Sequence, residues 1–439
     1  MIFSMYDSLP IYVMNKYNSY KNSGIFWVNE MPSHWKETKL KHVLSKLSRV
    51  KQPNAELLVC SNKGKVVKRG DSKLGLVAES DEIYQGVCKN DLLIHGMDTW
   101  HGAIAISDYD GMCTPVVHVC ESKQDKHYIA YYLQFMAQAN VFKLISNGIR
   151  QNTSDFRSWD KVGAIPITLP NISEQHAIVN YLKDKTLKID QYVAARERER
   201  ELLDSLKQSE IANIVTKGLN PNAPMKDSGI PWIGLIPKHW EVKRLRNFLK
   251  LVSEKGHGDM TLLSVTREQG VIERNVESKE ENHNFIPDDL NNYKLVKRGQ
   301  FVINKMKSWQ GSYGVSSYDG IVSPAYYVCE LSFPCKDFFS LAIRSKSYIP
   351  FFTQYSKGIR VDQWDLSPIG LKSIPFVVPP LSEQQAIVAY INEKISKIDS
   401  CLADLQAEID YLKEFKQRLI SDAVTGQICV AEPQKGDKQ

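Results

Sequence analysis

The sequence predicts a mixed α/β protein built from two similar globular domains in tandem, separated by two long antiparallel helices that pair as a coiled coil. Three observations support this fold class. The chain repeats itself once, the non-helical part of each copy contains short strand-like runs, and each copy ends in a long segment without proline or glycine.

The internal repeat has a period of about 205 to 209 residues. Ser-Gly-Ile-x-Trp at 23–27 returns at 228–232, and Pro-x-His-Trp at 32–35 returns at 237–240. Further along, Tyr-Asp-Gly at 109–111 returns at 318–320, and Ser-Glu-Gln-x-Ala-Ile-Val-x-Tyr at 173–181 returns at 382–390. Between these matches the copies diverge, most clearly at 58–82 and 263–281. A shared framework with unlike inserts indicates related tasks on different targets.

The composition narrows the class of protein. With 439 residues, 43% of them hydrophobic and 24% charged, the chain is long enough for two to four globular domains. A net charge of +6 permits nucleic-acid binding without demonstrating it. Eight cysteines without a Cys-x-x-Cys pair, and no signal-peptide pattern, predict reduced thiols in the cytoplasm. No apolar run is long enough to predict a membrane span.

Short apolar runs predict the strands of the globular domains. In the first copy these runs cover 92–95, 103–107 and 116–120. The divergent segments 58–82 and 263–281 also have strand-like runs, broken by Gly, Asn and Asp. Each domain is therefore expected to mix strands with helices.

Each copy ends in a predicted helix of about 45 residues. Ser173 is the expected N-cap of the first, Gly218 and Pro221 end it, and Gly426 ends the second. At about 1.5 Å per residue each helix is roughly 65 Å long, more than the width of a compact domain of about 150 residues. The helices are thus expected to pair with each other, although packing of each on its own domain is the alternative.

Apolar residues spaced by three and four define the expected helix–helix seam. Arg196 and Arg200 fall on the same stripe and predict a more polar pairing there. The predicted seam consists of Leu182, Ile189, Val193 and Leu203 in the first helix and of Ile391, Ile395, Ile398, Leu402, Leu405, Ile409 and Leu412 in the second.

The repeat and the helices together set the expected domain boundaries. The predicted segments are an N-terminal extension at 1–20, a first globular domain at 21–172, a first helix at 173–217, a linker at 218–227, a second globular domain at 228–381, a second helix at 382–426 and a C-terminal tail at 427–439.

Basic and amide side chains in polar loops suggest contacts with DNA. Arginine and lysine bind phosphates, arginine pairs with guanine, and asparagine or glutamine pairs with adenine. Gly-Ile-Arg at 148–150 recurs at 358–360, whereas Trp100 and Trp309 are expected to pack in the core. The candidates are Arg150, Gln151, Asn152, Lys63, Lys65, Lys68 and Arg69 in the first copy and Lys305, Lys307, Gln310 and Arg360 in the second. For any one of them the alternative is a solvated charge or a surface ion pair.

The sequence has no recognisable catalytic motif. It lacks the phosphate-binding Gly-x-x-x-x-Gly-Lys loop, a convincing acidic metal cluster, and the Asn-Pro-Pro-aromatic motif of adenine methyltransferases. No His-Glu-x-x-His motif is present, and His34 and His239 are expected to be structural. Neither a catalytic centre nor a metal site is predicted.

With these motifs in view, the chain closely resembles the specificity subunits (HsdS) of type I restriction-modification systems over nearly its whole length. The resemblance rests on the paired Ser-Gly-Ile-x-Trp and Pro-x-His-Trp openings and on the two boundaries that end in Ser-Glu-Gln, at 165–175 and 374–384. The first boundary departs from the family pattern, with Pro-Asn-Ile in place of Pro-Pro-Leu, as do the arginines on the first seam.

The resemblance implies two target-recognition domains, each reading one half of a bipartite asymmetric DNA site, and helices that fix the spacer. It also implies partners: double-stranded DNA, two modification subunits with S-adenosylmethionine that methylate adenine, and restriction subunits with ATP and Mg²⁺. No cofactor is expected in this chain. A methyltransferase complex without a restriction subunit remains an alternative, as does, with less support, a stand-alone DNA-processing enzyme using tyrosine chemistry.

Overall fold

The computed structural model describes residues 15–70, 83–146, 156–276, 286–287, 289–360 and 363–430. The chain divides into two compact units, one comprising 1–196 with 407–439 and the other comprising 197–406. The predicted boundaries fall at the ends of the long helices, whereas the units divide the chain inside both helices.

The first unit contains twelve named strands among its described residues. They are β1 (Tyr20–Ile25), β2 (Val28–Pro32), β3 (Lys36–Lys39), β4 (Leu44–Lys46), β5 (Leu58–Ser61), β6 (Lys65–Lys68), β7 (Gln85–Val87), β8 (Leu92–His95), β9 (Ile104–Ile106), β10 (Gly111–Cys113), β11 (Val117–Ser122) and β12 (Pro166–Leu169). Its shorter helices are α1 (Leu40–Val43), α2 (Lys126–Gln138), α3 (Val141–Ile145) and α4 (Trp159–Gly163), and a 3-10 turn covers Thr99–His101. The long helix α5 covers Ile172–Lys217.

The second unit repeats this plan. Its strands are β13 (Met225–Asp227), β14 (Leu235–Pro237), β15 (Glu241–Arg244), β16 (Leu249–Val252), β17 (Leu263–Thr266), β18 (Gly270–Glu273), β19 (Lys294–Val296), β20 (Phe301–Asn304), β21 (Tyr313–Val315), β22 (Gly320–Val322), β23 (Tyr326–Leu331), β24 (Ser356–Arg360), β25 (Gln363–Leu366) and β26 (Pro375–Val378). Its shorter helices are α6 (Lys336–Arg344), α7 (Ile349–Tyr355) and α8 (Pro368–Ser373), with 3-10 turns at Leu245–Asn247 and Ser308–Gln310. The second long helix, α9, covers Leu381–Val424.

The sheets show that the two copies share one topology. The first unit has a four-stranded antiparallel sheet in the order β4-β11-β8-β9, and the second has β16-β23-β20-β21. Hairpin β5–β6 of the first unit corresponds to β17–β18 of the second. In both units the strand that precedes the long helix pairs antiparallel with the strand that follows the Pro-x-His-Trp motif. The sequence repeat is therefore a repeat of the fold.

Each unit buries a main core and a smaller core under its hairpin. The main core of the first unit joins α2 to residues of both α5 and α9, including Leu182, Ile189 and Ile409. The main core of the second unit likewise takes in residues from both long helices, including Ile214 and Ile391. The long helices are thus part of the hydrophobic core of each unit.

Charged contacts give the direction in which the helices pair. In the first unit Asp190 accepts from Lys416 at 2.6 Å, and Arg196 lies 3.2 Å from Glu408. In the second unit Arg200 contacts Gln406. Also within the second unit, Lys207 pairs with Asp399 at 2.5 Å and Glu210 with Lys394 at 3.3 Å. Within each unit the partner number falls on α9 as the number rises on α5, so the helices are antiparallel.

All of the predicted seam residues are buried or half-buried. Ile189 and Val193 are buried in the first helix, as are Ile391, Ile409 and Leu412 in the second, while the remaining seam positions include the half-buried Leu203, Ile395, Ile398 and Leu402. The two arginines on the stripe carry the polar contacts just described. The fold class predicted from the sequence, a mixed α/β repeat with two long antiparallel helices, is confirmed.

The predicted cap of the first long helix is wrong by two residues. Helix α5 begins at Ile172, so Ser173 lies inside its first turn. Asn171 is the residue whose side-chain oxygen accepts from the backbone N–H of Glu174, at 2.9 Å. Helix α9 ends at Val424, two residues before the predicted end. Asparagine is as good a cap as serine, so residue type alone could not separate the two positions.

The repeated Pro-x-His-Trp motif docks on the first turn of a long helix. In the first unit the buried Trp35 donates its indole N–H to Glu174 at 3.0 Å, and His34 contacts the other carboxylate oxygen at 2.9 Å. In the second unit Trp240 donates to Glu383 at 2.9 Å. His239 contacts the same carboxylate. Both histidines therefore have structural contacts.

The same tryptophans also contact the C-terminal end of a long helix. Gly426 follows α9 with a left-handed φ of +77°, and a Cβ there would overlap the ring of Pro32 and lie 3.2 Å from Trp35. In the second unit Gly218 follows α5 with a φ of +76°, and its Cβ would lie 3.1 Å from Trp240. Each tryptophan thus contacts the beginning of one long helix and the end of the other.

No helix in the described part of the chain combines the length and the apolar character needed to cross a membrane. The eight cysteines are all free of disulfide bonds.

We expect Glu174→Ala to lower the free energy of unfolding by about 1–3 kcal/mol, because it leaves the buried Trp35 N–H without an acceptor. Glu174→Gln keeps a carbonyl acceptor and serves as the control. Glu383→Ala should cost less, because the Glu383 side chain is 39% exposed and water can replace it. Denaturant unfolding of the variants measures these differences. Equal stability of Glu174→Ala and wild type would contradict the assigned contact.

We expect Gly426→Ala to destabilise the chain by at least about 2 kcal/mol more than Gly70→Ala. Both glycines have a positive φ, so both alanines carry left-handed strain of about 1–2 kcal/mol. A Cβ at Gly70 meets nothing within 4 Å, whereas at Gly426 it overlaps Pro32. Equal unfolding midpoints of the two variants would show that the end of α9 does not pack on the tryptophan motif.

Candidate nucleic-acid interface

Hairpin β5–β6 carries the basic cluster predicted in the first copy. Leu58, Cys60 and Val66 point into the smaller core of the unit and fix the hairpin. Lys63 lies in the turn and Lys65 in β6, and both are exposed, as alternation along a strand requires. The basic cluster therefore lies on the surface, on a strand pair whose other face is packed in the smaller core.

Lys68, further along β6, has local partners. Its ammonium lies 2.9 Å from the Glu56 carboxylate and 5.2 Å from the ring centre of Tyr109. The hydrogen bond and charge of Glu56 raise the pKa of Lys68. The neighbouring Arg69 is half-buried, and its backbone N–H donates to Leu57. These contacts leave Lys68 and Arg69 less available to a ligand than Lys63 and Lys65.

The candidates of the second unit lie in the loop after β20. Lys305 is half-buried and pairs with Asp365 at 3.0 Å, whereas Lys307 is exposed. Gln310 is half-buried in the 3-10 turn, where its backbone N–H donates to the Lys307 carbonyl at 3.1 Å. Lys307 is thus the most accessible candidate cation of this loop.

Equivalent contacts anchor this loop in both units. The Phe156 N–H donates to the Gly96 carbonyl at 3.0 Å, and the Leu366 N–H donates to the Lys305 carbonyl at 3.1 Å. The chain returning from the Gly-Ile-Arg segment therefore meets the same loop in each copy. Arg150, Gln151 and Asn152 lie outside the described residues. Arg360 is the last residue of β24, paired in register with Gln363.

The two matching tryptophans are largely packed against the protein. Trp100 packs against the main core of the first unit. In the second unit Trp309 lies 5.0 Å from Trp364, centre to centre. Their half-buried position agrees with the expected packing role better than with an open stacking surface.

A polar groove of about 820 Å³ runs beside the hairpin of the first unit. It is bounded by the β5–β6 turn, the 3-10 turn, α2 and the two long helices of that unit, and its walls include Lys63, Lys65, Gln134 and the Asp190–Lys416 pair. Lysines, histidines and amides dominate its charged and polar lining, which suits an anionic ligand better than an apolar one.

Sequence reasoning missed the corresponding hairpin turn of the second unit. The turn between β17 and β18 presents Arg267, Glu268 and Gln269, all exposed. From below, the Arg344 side chain donates to the carbonyls of Arg267 and Glu268. The available signal was position within the repeat, since this turn corresponds to the lysine-bearing turn of the first copy.

No group of three or more His, Cys, Asp or Glu side chains that could hold a metal ion occurs among the residues that the structure describes. The buried Cys60, Cys113 and Cys329 have raised pKa values caused by burial, reaching about 12 for Cys113 and Cys329, so their thiols stay protonated. The candidate sites described above are surfaces of basic and amide side chains.

Comparison with known proteins shows similarity to type I restriction enzyme specificity subunits. The model of the type I restriction modification DNA specificity domain matches residues 32–192, which lie within the first unit. The chain is 24% identical over 353 residues to the type I restriction enzyme MjaX specificity subunit of Methanocaldococcus jannaschii, covering 79% of this chain and 75% of that one. It is also 24% identical over 283 residues to the MjaVIII specificity subunit of the same organism, covering 61% and 63%.

The fold agrees with a solved structure. A chain from a study of complex assembly and conformational transition of the type I restriction-modification system superposes with a TM-score of 0.64 at 14% identity, covering 90% of this chain and 98% of that one. This likeness concerns the fold alone. In sequence, the chain is similar to the type I restriction modification DNA specificity domain over residues 32–192 and to type I restriction enzyme specificity subunits over most of its length.

Proposed function

We propose that each globular unit reads one half of a bipartite asymmetric DNA site. The observation that supports this proposal is that the two units share one topology but expose different side chains. Equivalent hairpin turns present Lys63 and Lys65 in the first unit but Arg267 and Gln269 in the second. Because the two units share one scaffold, they can dock on DNA with the same geometry. Because their polar surfaces differ, they can read two different sequences.

The remaining candidates supply the sequence-independent part of binding. Exposed lysines such as Lys307 contact phosphates as point charges. Lys68 and Lys305 pair with surface carboxylates in the free protein, and surface ion pairs are weak enough to exchange for a phosphate. Arg150, Gln151, Asn152 and Arg360 remain candidates for base contacts.

The long helices fix the spacer between the two half-sites in this proposal. A helix of 46 residues is about 69 Å long and resists compression along its axis. Antiparallel charge pairs such as Asp190–Lys416 in one unit and Lys207–Asp399 in the other hold the helical register. Because the register of the two helices is fixed, the length of the DNA spacer between the half-sites is fixed as well.

The exposed face of the helices suits the docking of modification subunits. In the second unit Leu202 and Leu206, one turn apart on α5, are 63% and 56% exposed, and in the first unit Leu187 and Tyr192 are exposed. Apolar side chains on a solvent-facing helix commonly mark a protein interface. Methyltransferase subunits with S-adenosylmethionine, and restriction subunits with ATP and Mg²⁺, would supply the adenine methylation and cleavage that this chain directs in the cytoplasm.

We expect this chain, co-purified with its methyltransferase subunits, to direct methylation of adenines in a two-part motif with a constant spacer. Replacing 21–172 by the same region of another specificity subunit should change one half of the motif and leave the other half and the spacer intact. Mapping methylated adenines in DNA exposed to the complex measures both. A continuous motif, or the same methylation pattern without this chain, would overturn the proposal.

We expect a seven-residue insertion in both long helices to lengthen the spacer by about three base pairs. Seven residues add about 10 Å at 1.5 Å per residue, and one base pair occupies about 3.4 Å. Suitable positions lie between Arg200 and Lys207 on α5 and between Asp399 and Gln406 on α9, because contacts on both sides define the register there. Insertion in α5 alone is the control and should impair assembly. An unchanged spacer in the double insertion would contradict the ruler role.

A further inference from the structure

Hairpin β17–β18 of the second unit is fixed on one face and open at its tip. Leu263, Val265 and Val271 are buried in the smaller core of the unit. At the tip the side chains of Arg267 and Glu268 are 67% and 71% exposed. The strands therefore hold three polar side chains, the third being Gln269, at a defined place on the surface.

The turn at the tip is held by its own side chains. The Thr266 hydroxyl oxygen accepts from the Gln269 N–H at 3.1 Å, and the hydroxyl donates to the Gly270 carbonyl at 3.3 Å. Gly270 has a left-handed φ of +78°. A Cβ at this position would lie 2.8 Å from a guanidinium nitrogen of Arg344 and would displace that group, in addition to straining the backbone.

Arg344, the last residue of α6, supports the turn from below. Its Nη1 donates to the Tyr313 carbonyl at 2.6 Å. Its Nη2 donates to the carbonyls of Arg267 at 3.0 Å and Glu268 at 2.8 Å. One guanidinium thus joins strand β21 to two consecutive peptides of the turn. The planar fork of arginine makes this possible, because lysine offers a single nitrogen.

In the first unit a helix side chain also lies close to the hairpin turn. Gln134 on α2 donates to the Ile104 carbonyl at 2.7 Å, and Ile104 and Tyr313 begin equivalent strands. A Cβ at Gly64 in the β5–β6 turn would lie 2.6 Å from the Gln134 amide nitrogen. A helix side chain therefore lies against the hairpin turn in both units, and in the second unit it also donates hydrogen bonds to the turn.

Resting on the proposed function of the second unit, we propose that the Arg267–Gln269 turn is a base-reading element and that Arg344 is its positioning residue. Arginine pairs with the guanine edge through two hydrogen bonds, and glutamine pairs likewise with adenine. The exposed Arg267–Glu268 pair at 3.1 Å contributes little and gives way to a base. A turn already held in one conformation loses less entropy on binding and rejects misfitting bases more strongly.

The test uses the complex of this chain with its methyltransferase subunits and DNA in which each base of both half-sites is varied in turn. Arg267→Ala and Gln269→Ala should each reduce base discrimination by about 5-fold to 150-fold at one or two positions of the second unit's half-site. The other half-site should be unaffected. Arg246→Ala removes an exposed arginine from another turn of the same unit and is the matched control, with discrimination unchanged.

Uniformly weaker binding to all sequences, with every base preference retained, would reduce Arg267 to a phosphate contact and overturn the base-reading role. Unchanged discrimination in both variants would do the same. Either result can accompany an intact bipartite motif, whereas failure of the proposed function removes the motif or its dependence on this chain. The two failures are therefore distinguishable.

Arg344→Lys tests the positioning role, because it keeps the charge and loses the fork. Discrimination should fall at the same positions as in the turn variants. Thr266→Val frees the turn from the opposite side without touching Arg344 and should affect the same bases, which covers the case in which Arg344→Lys fails to fold. Lower thermal stability with base preferences intact in both variants would make Arg344 a purely structural residue and overturn its assignment.

Discussion

A buried tryptophan N–H paired with a glutamate in the first turn of a long helix is the contact on which each unit depends. Trp35 and Trp240 are fully buried, so each indole nitrogen needs an acceptor, and Glu174 and Glu383 supply it. The carboxylate also lies where the helix dipole favours negative charge. The same two indoles pack against Gly426 and Gly218, which end the other helix. One side chain in each unit therefore determines where two helices meet the globular domain.

Duplication explains why the sheets agree so closely while the surfaces differ. The four-stranded sheets have the same order, and the loops after β8 and β20 receive the returning chain through equivalent backbone hydrogen bonds. Backbone contacts of this kind do not depend on side-chain identity. Exposed turn positions such as Lys63 and Arg267 have few packing constraints and can differ between copies. The scaffold is kept by burial and backbone pairing, and the surface is free to specialise.

The helix pair tolerates arginines on its seam because each one reaches a polar partner on the facing helix. Arg196 contacts Glu408 within the first unit, and Arg200 contacts Gln406 within the second. The apolar seam residues nearest to them, such as Val193 and Leu405, stay largely buried. Polar pairs at seam positions add less stability than leucine would, but they penalise a shifted register, because a shift would leave the charges unpaired.

The sequence by itself determined the duplication, the two long helices and the seam positions, because repetition and apolar spacing can be recognised in the chain without knowledge of the fold. It also located the lysines of the β5–β6 turn. Only the tertiary structure decided which carboxylate meets Trp35, 139 residues away, and that Arg344 braces a turn 76 residues before it. It also decided that Lys68 and Lys305 are engaged by carboxylates. Such contacts produce no periodic pattern in the sequence, because they join side chains that become neighbours only when the sheets and helices pack.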